Sequence, residues 1–134
     1  MSHSEMVESY IRRMALPYEQ VDTDTWMVTP QNLRHSQIVV RIEDPIILFS
    51  TPLFEVGDET PDREGLFRTL LELNESLLHS AYGLQDNQLV MSGAHPVETL
   101  DFNEFQAIIE DMAMSLDDHL DQLAAWRPAT GEAS

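Results

Sequence analysis

Between Tyr18 and Val56 the hydrophobic pattern changes period from 3.6 to 2, and that change limits the fold more than any other feature of the chain. "TWMVT" (25–29), "SQIVVRIE" (36–43) and "PIILFSTPLFEV" (45–56) are rich in β-branched and aromatic residues. Turn formers separate them, Pro30-Gln31-Asn32 and Glu43-Asp44-Pro45. The pattern predicts three sequential antiparallel strands. Ile38, Val40 and Ile42 share one face and Gln37, Arg41 and Glu43 the other, so the sheet has one wet side. Pro45 and Pro52 lack a ladder donor, which puts the third strand at an edge or gives it a break.

Helical periods lie on either side of this block. Ser2-His3-Ser4-Glu5 reads as a capping box, followed by Val7, Tyr10, Ile11 and Met14 on one stripe and a stop at Leu16-Pro17. Thr60 as N-cap and Pro61 at the first helical position open a second helix, predicted to run to about Ala81 and to end at Gly83. Its stripe is Phe67, Leu70, Leu71, Leu77 and Leu78, with Asn74 in the middle. An amide there is read as structural: it satisfies backbone groups where the helix meets a strand or a dimer axis, fixing register at some cost in stability. "GLQDNQLVMSG" predicts a hairpin around Asp86-Asn87, with Leu84 and Leu89-Val90-Met91 as its arms, and Gly93-Ala94-His95-Pro96 as a loop. Asp101 as N-cap, Glu104 three residues on, and a Leu100–Phe105 staple start the last helix. Phe105, Ile109, Met112, Leu116, Leu120 and Leu123 form its stripe, through about Trp126. The expected fold is α+β, in the order helix, three-stranded antiparallel meander, helix, β-hairpin, helix. One domain over residues 1–127 and a disordered tail over 128–134 complete the reading.

Several kinds of chemistry find no residues to carry them. The chain has no cysteine, which removes thiol catalysis, disulfides and cysteine metal sites. "DTDTW" (22–26) begins like a calcium loop, but Met27 and Leu33 stand where such a loop needs glycine and a bidentate acid. The five histidines show no metal-helix spacing. His79 follows Glu75 by four residues as a surface pair, and His119 lies at the edge of the last stripe as a partly buried, hydrogen-bonded side chain. His95 falls near Ser92 but lacks the context of a nucleophile elbow. Asn74-Glu75-Ser76 matches a glycosylation acceptor only by accident, since it sits within a helix and no export signal is present. The sequence therefore predicts no enzyme, no cofactor and no metal.

Charge and leftover apolar surface are more informative. Acidic residues number 24 against 7 basic, a formal net charge of −17, so the chain repels phosphate backbones and attracts basic protein segments. Glu110, Asp111, Asp117, Asp118 and Asp121 lie opposite the apolar stripe of the last helix, as a solvated face. Apolar residues make up 43% of the chain. Trp26, Val28, Ile47, Phe49, Leu53 and Phe54, with Met114 on the acidic side of the last helix, exceed what one sheet face over two helices needs. They are the candidate partner-binding residues, with Asn74, Asp101 and Glu104 as structural positions. No apolar run reaches the ~20 residues of a membrane span, and the expected location is cytoplasmic.

"LFRTLLELNESLLHSAYGLQDNQLVMSGAHPVETLDFNEFQAIIEDMAMSLDDHLDQL" (66–123) resembles the type III secretion chaperones of the Tir-chaperone class and the related YbjN-like proteins. The shared pattern is a Leu-rich helix with a central Leu-Asn, a short hairpin, a Leu-Asp cap and a long final helix. The resemblance implies a twisted antiparallel sheet packed on helices, a homodimer and no enzymatic activity. It also implies a chaperone, adaptor or regulator that binds extended or amphipathic segments of another protein on apolar patches or a free sheet edge. A different class of function consistent with the charge is an acidic regulator that mimics nucleic acid and occupies a DNA-binding protein.

Overall fold

The structure, a computed structural model, describes residues 1–31 and 36–127. The tail expected over 128–134 and the Asn32 end of the first turn lie outside them. The elements are α1 (His3–Met14), β1 (Tyr18–Asp22), β2 (Thr25–Val28), β3 (Ile38–Glu43), β4 (Ile46–Glu55), α2 (Arg63–Asn74), β5 (Ala81–Gln85), β6 (Gln88–Pro96) and α3 (Phe102–Leu123). The six strands form one antiparallel sheet in the order β1-β2-β3-β4-β6-β5.

Cross-strand register explains the core. Trp26 lies opposite Val40 and Val40 opposite Phe49, while Val28 faces Ile38 and Ile42 faces Ile47. All seven are buried, so one face of the sheet is apolar from β2 to β4. Helix α3 covers this face: Phe49 packs on Phe105 with ring centroids 5.7 Å apart, and Tyr10 of α1 packs on Phe105 at the same distance. On the opposite face Met27, Val39, Leu48 and Ser50 are half-buried and Arg41 is exposed.

Local chemistry sets the helix ends. The capping boxes Ser2/Glu5 and Asp101/Glu104 both form, with Glu104 N–H donating to Asp101 Oδ1 at 2.7 Å and Asp101 N–H to Glu104 Oε1 at 3.2 Å. Leu100 and Phe105 are both buried beside the second box. Helix α1 stops at Ala15, whose left-handed backbone returns its N–H to the Arg12 carbonyl.

Other boundaries differ from the sequence reading. Strand β1 was not expected; its outer residues are exposed, so no period-2 burial marks it. Of the two expectations for the third strand, an edge or a break, the second holds: β4 lies between β3 and β6 and its register shifts at Pro52. Pro52 is tolerated because it falls beyond the β3–β4 ladder, which ends at Val39 opposite Ser50, and next to a register shift between Pro52 and Phe54. Asp62, not Thr60, caps α2 by accepting from Gly65 N–H, and the Thr60 hydroxyl accepts from Gly57 N–H to close the preceding loop. Helix α2 ends at Asn74 rather than Ala81, and Gly83 belongs to β5, so the Glu75–His79 spacing falls past the helix end. Strand β6 continues through Gly93-Ala94-His95-Pro96, read in the sequence as a loop, because it pairs with β4 over its whole length. Glycine is required at 93, where a Cβ would collide with the His79 carbonyl oxygen.

Candidate protein-binding surface

Burial separates the predicted partner-binding residues. Trp26, Val28, Ile47 and Phe49 are at most 1% exposed, Phe54 is buried, and Leu53 is half-buried against the same cluster. All but the half-buried Leu53 belong to the interior and present no surface to a partner. Three helices rather than two cover these residues: α1, α2 and α3 all contribute buried side chains to one cluster with them. Met114 alone of the seven projects outward, at 63% exposure.

Met114 borders a groove of about 350 Å³ between the end of α1 and the middle of α3. Met14, Leu16, Pro30, Ile109 and Ala113 line it, and Glu110 and Gln106 supply the polar rim. The groove exists because α1 ends at Ala15 while α3 runs on past it. Met14 and Leu16 were visible in the sequence as apolar residues at the helix end, but α1 had to be placed on α3 before they could be assigned to a surface.

The second apolar surface is the outer side of α2. The buried residues are Leu66, Leu70 and Leu73, so the helix is rotated from the predicted stripe: Leu71 is 71% exposed and Phe67 is also exposed, while Leu78, past the helix end, is 80% exposed. Phe67 and Leu71 lie among Arg63, Glu64, Arg68, Glu72 and Glu75 in a shallow depression. This is a mixed-charge surface with an apolar centre.

The two sheet edges are unequal. The β5–β6 turn has positive φ at both Asp86 and Asn87, so Gln85 and Gln88 flank a two-residue turn and the ladder alternates from there. That alternation points the N–H and C=O of Tyr82 and Leu84 away from β6. Asn74 takes both Tyr82 groups: its Oδ1 accepts from Tyr82 N–H at 2.7 Å and its Nδ2 donates to the Tyr82 carbonyl at 3.3 Å. The amide imitates one residue of a neighbouring strand. At the other edge, Thr29 N–H donates to the Pro17 carbonyl, and the register from that pair turns the backbone of Tyr18 and Gln20 outward, where no further strand lies beside β1 among the described residues.

Tyr82 is also held by its side chain. The phenol lies 2.8 Å from His119 Nδ1, and both residues are buried. Burial raises the Tyr82 pKa, so the phenol keeps its proton. Burial lowers that of His119, and the Asp118 charge opposes this only in part.

Charge surrounds these surfaces. Glu110, Asp117, Asp118 and Asp121 are exposed on α3, while Arg12, Arg41, Arg63 and Arg68 each lie within 3.6 Å of a carboxylate. Arg13 stacks over Phe102 at 3.8 Å. His95 places Nε2 3.5 Å from Glu104, whose carboxylate also caps α3. Among the described residues no group of three or more His, Asp or Glu side chains is placed to hold a metal ion, and no helix is long and apolar enough to cross a membrane.

One antiparallel sheet with helices on one face, opened by a short helix and closed by a long one, is the fold of the type III secretion chaperones. A chain of the heterodimeric ExoU–SpcU complex from the type III secretion system of Pseudomonas aeruginosa matches with TM-score 0.68 at 17% identity, over 92% of this chain and 100% of that one. The Yersinia pestis type III secretion chaperone SycH, in complex with a fragment of YscM2, matches at 0.59 and 14%, over 86% and 99%. YbjN from E. coli matches at 0.64 and 16%, over 89% and 92%. The chain belongs to the CesT_Tir_1 family, whose pattern covers residues 1–127. No curated protein matches it.

Proposed function

We propose that this protein is a non-enzymatic chaperone of the cytoplasm that holds a basic or disordered segment of a partner protein. The observation that carries the proposal is the groove at Met114: an apolar trough with a polar rim that includes Glu110, open on a molecule of net charge −17. An amphipathic segment can bury its apolar side there while its cations meet Glu110 and the α3 carboxylates. The open outer side of β1 offers an extended segment main-chain hydrogen bonds nearby. The family match, and relatives such as SycH that carry a bound protein fragment, support the same reading.

The test is capture from cytoplasmic extract followed by measured affinity of the captured segment. Binding should weaken steadily with added salt, and Met114→Asp should cost about tenfold or more in affinity, roughly 1.4 kcal/mol, with the fold intact. Recovery of nothing at low salt would remove the proposal. Loss of binding on neutralising Asp117, Asp118 and Asp121, with Met114→Asp silent, would favour an acidic mimic of nucleic acid instead.

The same reading includes a homodimer formed through the outer side of α2. Leu71 and the partly covered Phe67 are exposed large apolar residues there, and the arginines and glutamates around them can pair crosswise about a two-fold axis. Sedimentation velocity should give a dimer for the wild type and a monomer for Leu71→Glu. A wild-type monomer at high concentration would exclude this interface.

A further inference from the structure

We infer that Asn74, Tyr82 and His119 form a proton-sensitive latch that ties the edge strand β5 to the helices, and that protonation of His119 releases it. Strand β5 has one buried side chain, Tyr82; Ala81, Gly83, Leu84 and Gln85 are all exposed. Its attachment to anything but β6 therefore depends on this residue. The Tyr82 backbone is held by Asn74 of α2, and its hydroxyl by His119 of α3. Three elements meet at one side chain.

The hydrogen-bond chemistry gives the latch its sense. In the Nε2–H tautomer of the neutral ring the protonated phenol donates to His119 Nδ1. A second proton, on Nδ1, makes the hydroxyl turn from donor to acceptor and puts a full charge on a side chain that is 8% exposed. The charged and titratable groups around the ring do not compensate. Helix α3 supplies Asp118, which favours the proton; β5 supplies Tyr82, which stays uncharged; α2, packed on β5, supplies the uncharged Asn74. Burial outweighs Asp118 and holds the His119 pKa below the ordinary imidazole value. The folded state thus prefers the neutral ring. The latch is closed above about pH 6.5, the unfolded value, and is lost as pH falls through the lower folded value. Relief falls on β5 because it has one strand neighbour, whereas α3 is fixed on either side of His119 by buried Leu116 and Leu123. The inference does not depend on partner binding.

Amide hydrogen exchange on the full chain tests it, with rates corrected for intrinsic pH dependence. From about pH 7.5 to about pH 5, protection of the Tyr82 amide should fall by about tenfold or more while that of Val40 and Phe49 holds. His119→Gln should remove the step, whereas His79→Gln and His95→Gln, which delete the other imidazoles near β5 and β6, should keep it. A flat profile at Tyr82, an equal fall across the whole sheet, or an unchanged step in His119→Gln would each overturn the inference. Should His119→Gln fail to fold, Tyr82→Phe keeps the ring and removes the hydroxyl. It should lower protection of the residue 82 amide already at neutral pH, and unchanged protection there would equally overturn the latch.

Discussion

Phe49→Ala is expected to lower the stability of this protein by about 3–5 kcal/mol, a large part of the roughly 5–15 kcal/mol that holds a domain together. Phe49 is fully buried, lies across the ladder from Val40 on one side and Gly93 on the other, and packs on Phe105 of α3. Because Gly93 has no side chain to move into the vacated space, and cannot gain one without meeting the His79 carbonyl, the cavity stays open. Urea unfolding should show a lower midpoint with an unchanged slope, and the fraction that remains folded should bind a partner as the wild type does. Met114→Asp should give the opposite pair of results, with stability within about 0.5 kcal/mol and binding lost. A Phe49 variant of full stability and no affinity would return this ring to the binding surface.

The contrast between Phe49 and Met114 shows how far a sequence of this kind can be read. Strands β2, β3 and β4 were legible because their turns contain proline, asparagine and aspartate and because Ile38, Val40 and Ile42 alternate with polar residues. Both capping boxes were legible because the signal is local, two side chains three residues apart. Depth of burial was not. Trp26, Val28, Ile47, Phe49 and Phe54 have the composition of a sticky surface and the location of a core, and the difference is made by helices far away in the chain. Helix α2 failed for another reason. It has two adjacent apolar rows, 66/70/73 and 67/71, about 100° apart, and residue identity does not say which row faces inward. Strand β1 left no trace, since an exposed edge strand that buries almost nothing has no alternation to detect.

Asn74→Leu carries the second large effect, and its sign separates two views of α2. On propensity and hydrophobicity alone the change should stabilise, because leucine is the better helix former and extends the row of Phe67 and Leu71. That row faces outward, however, and Asn74 is the last residue of the helix, where its amide satisfies one donor and one acceptor of the Tyr82 backbone. Leucine leaves both unpaired in a half-buried place, at about 1–3 kcal/mol for each group, while the gain from its own partial burial offsets only part of this. The net loss should be about 2–3 kcal/mol, read as a fall in melting temperature of roughly 10 °C. The variant should also self-associate more readily than the wild type, since the outward groups of Tyr82 then join those of Leu84 in an uncovered stretch of edge that a second chain can pair with. A more stable, equally soluble Asn74→Leu protein would mean that β5 is held without its clasp.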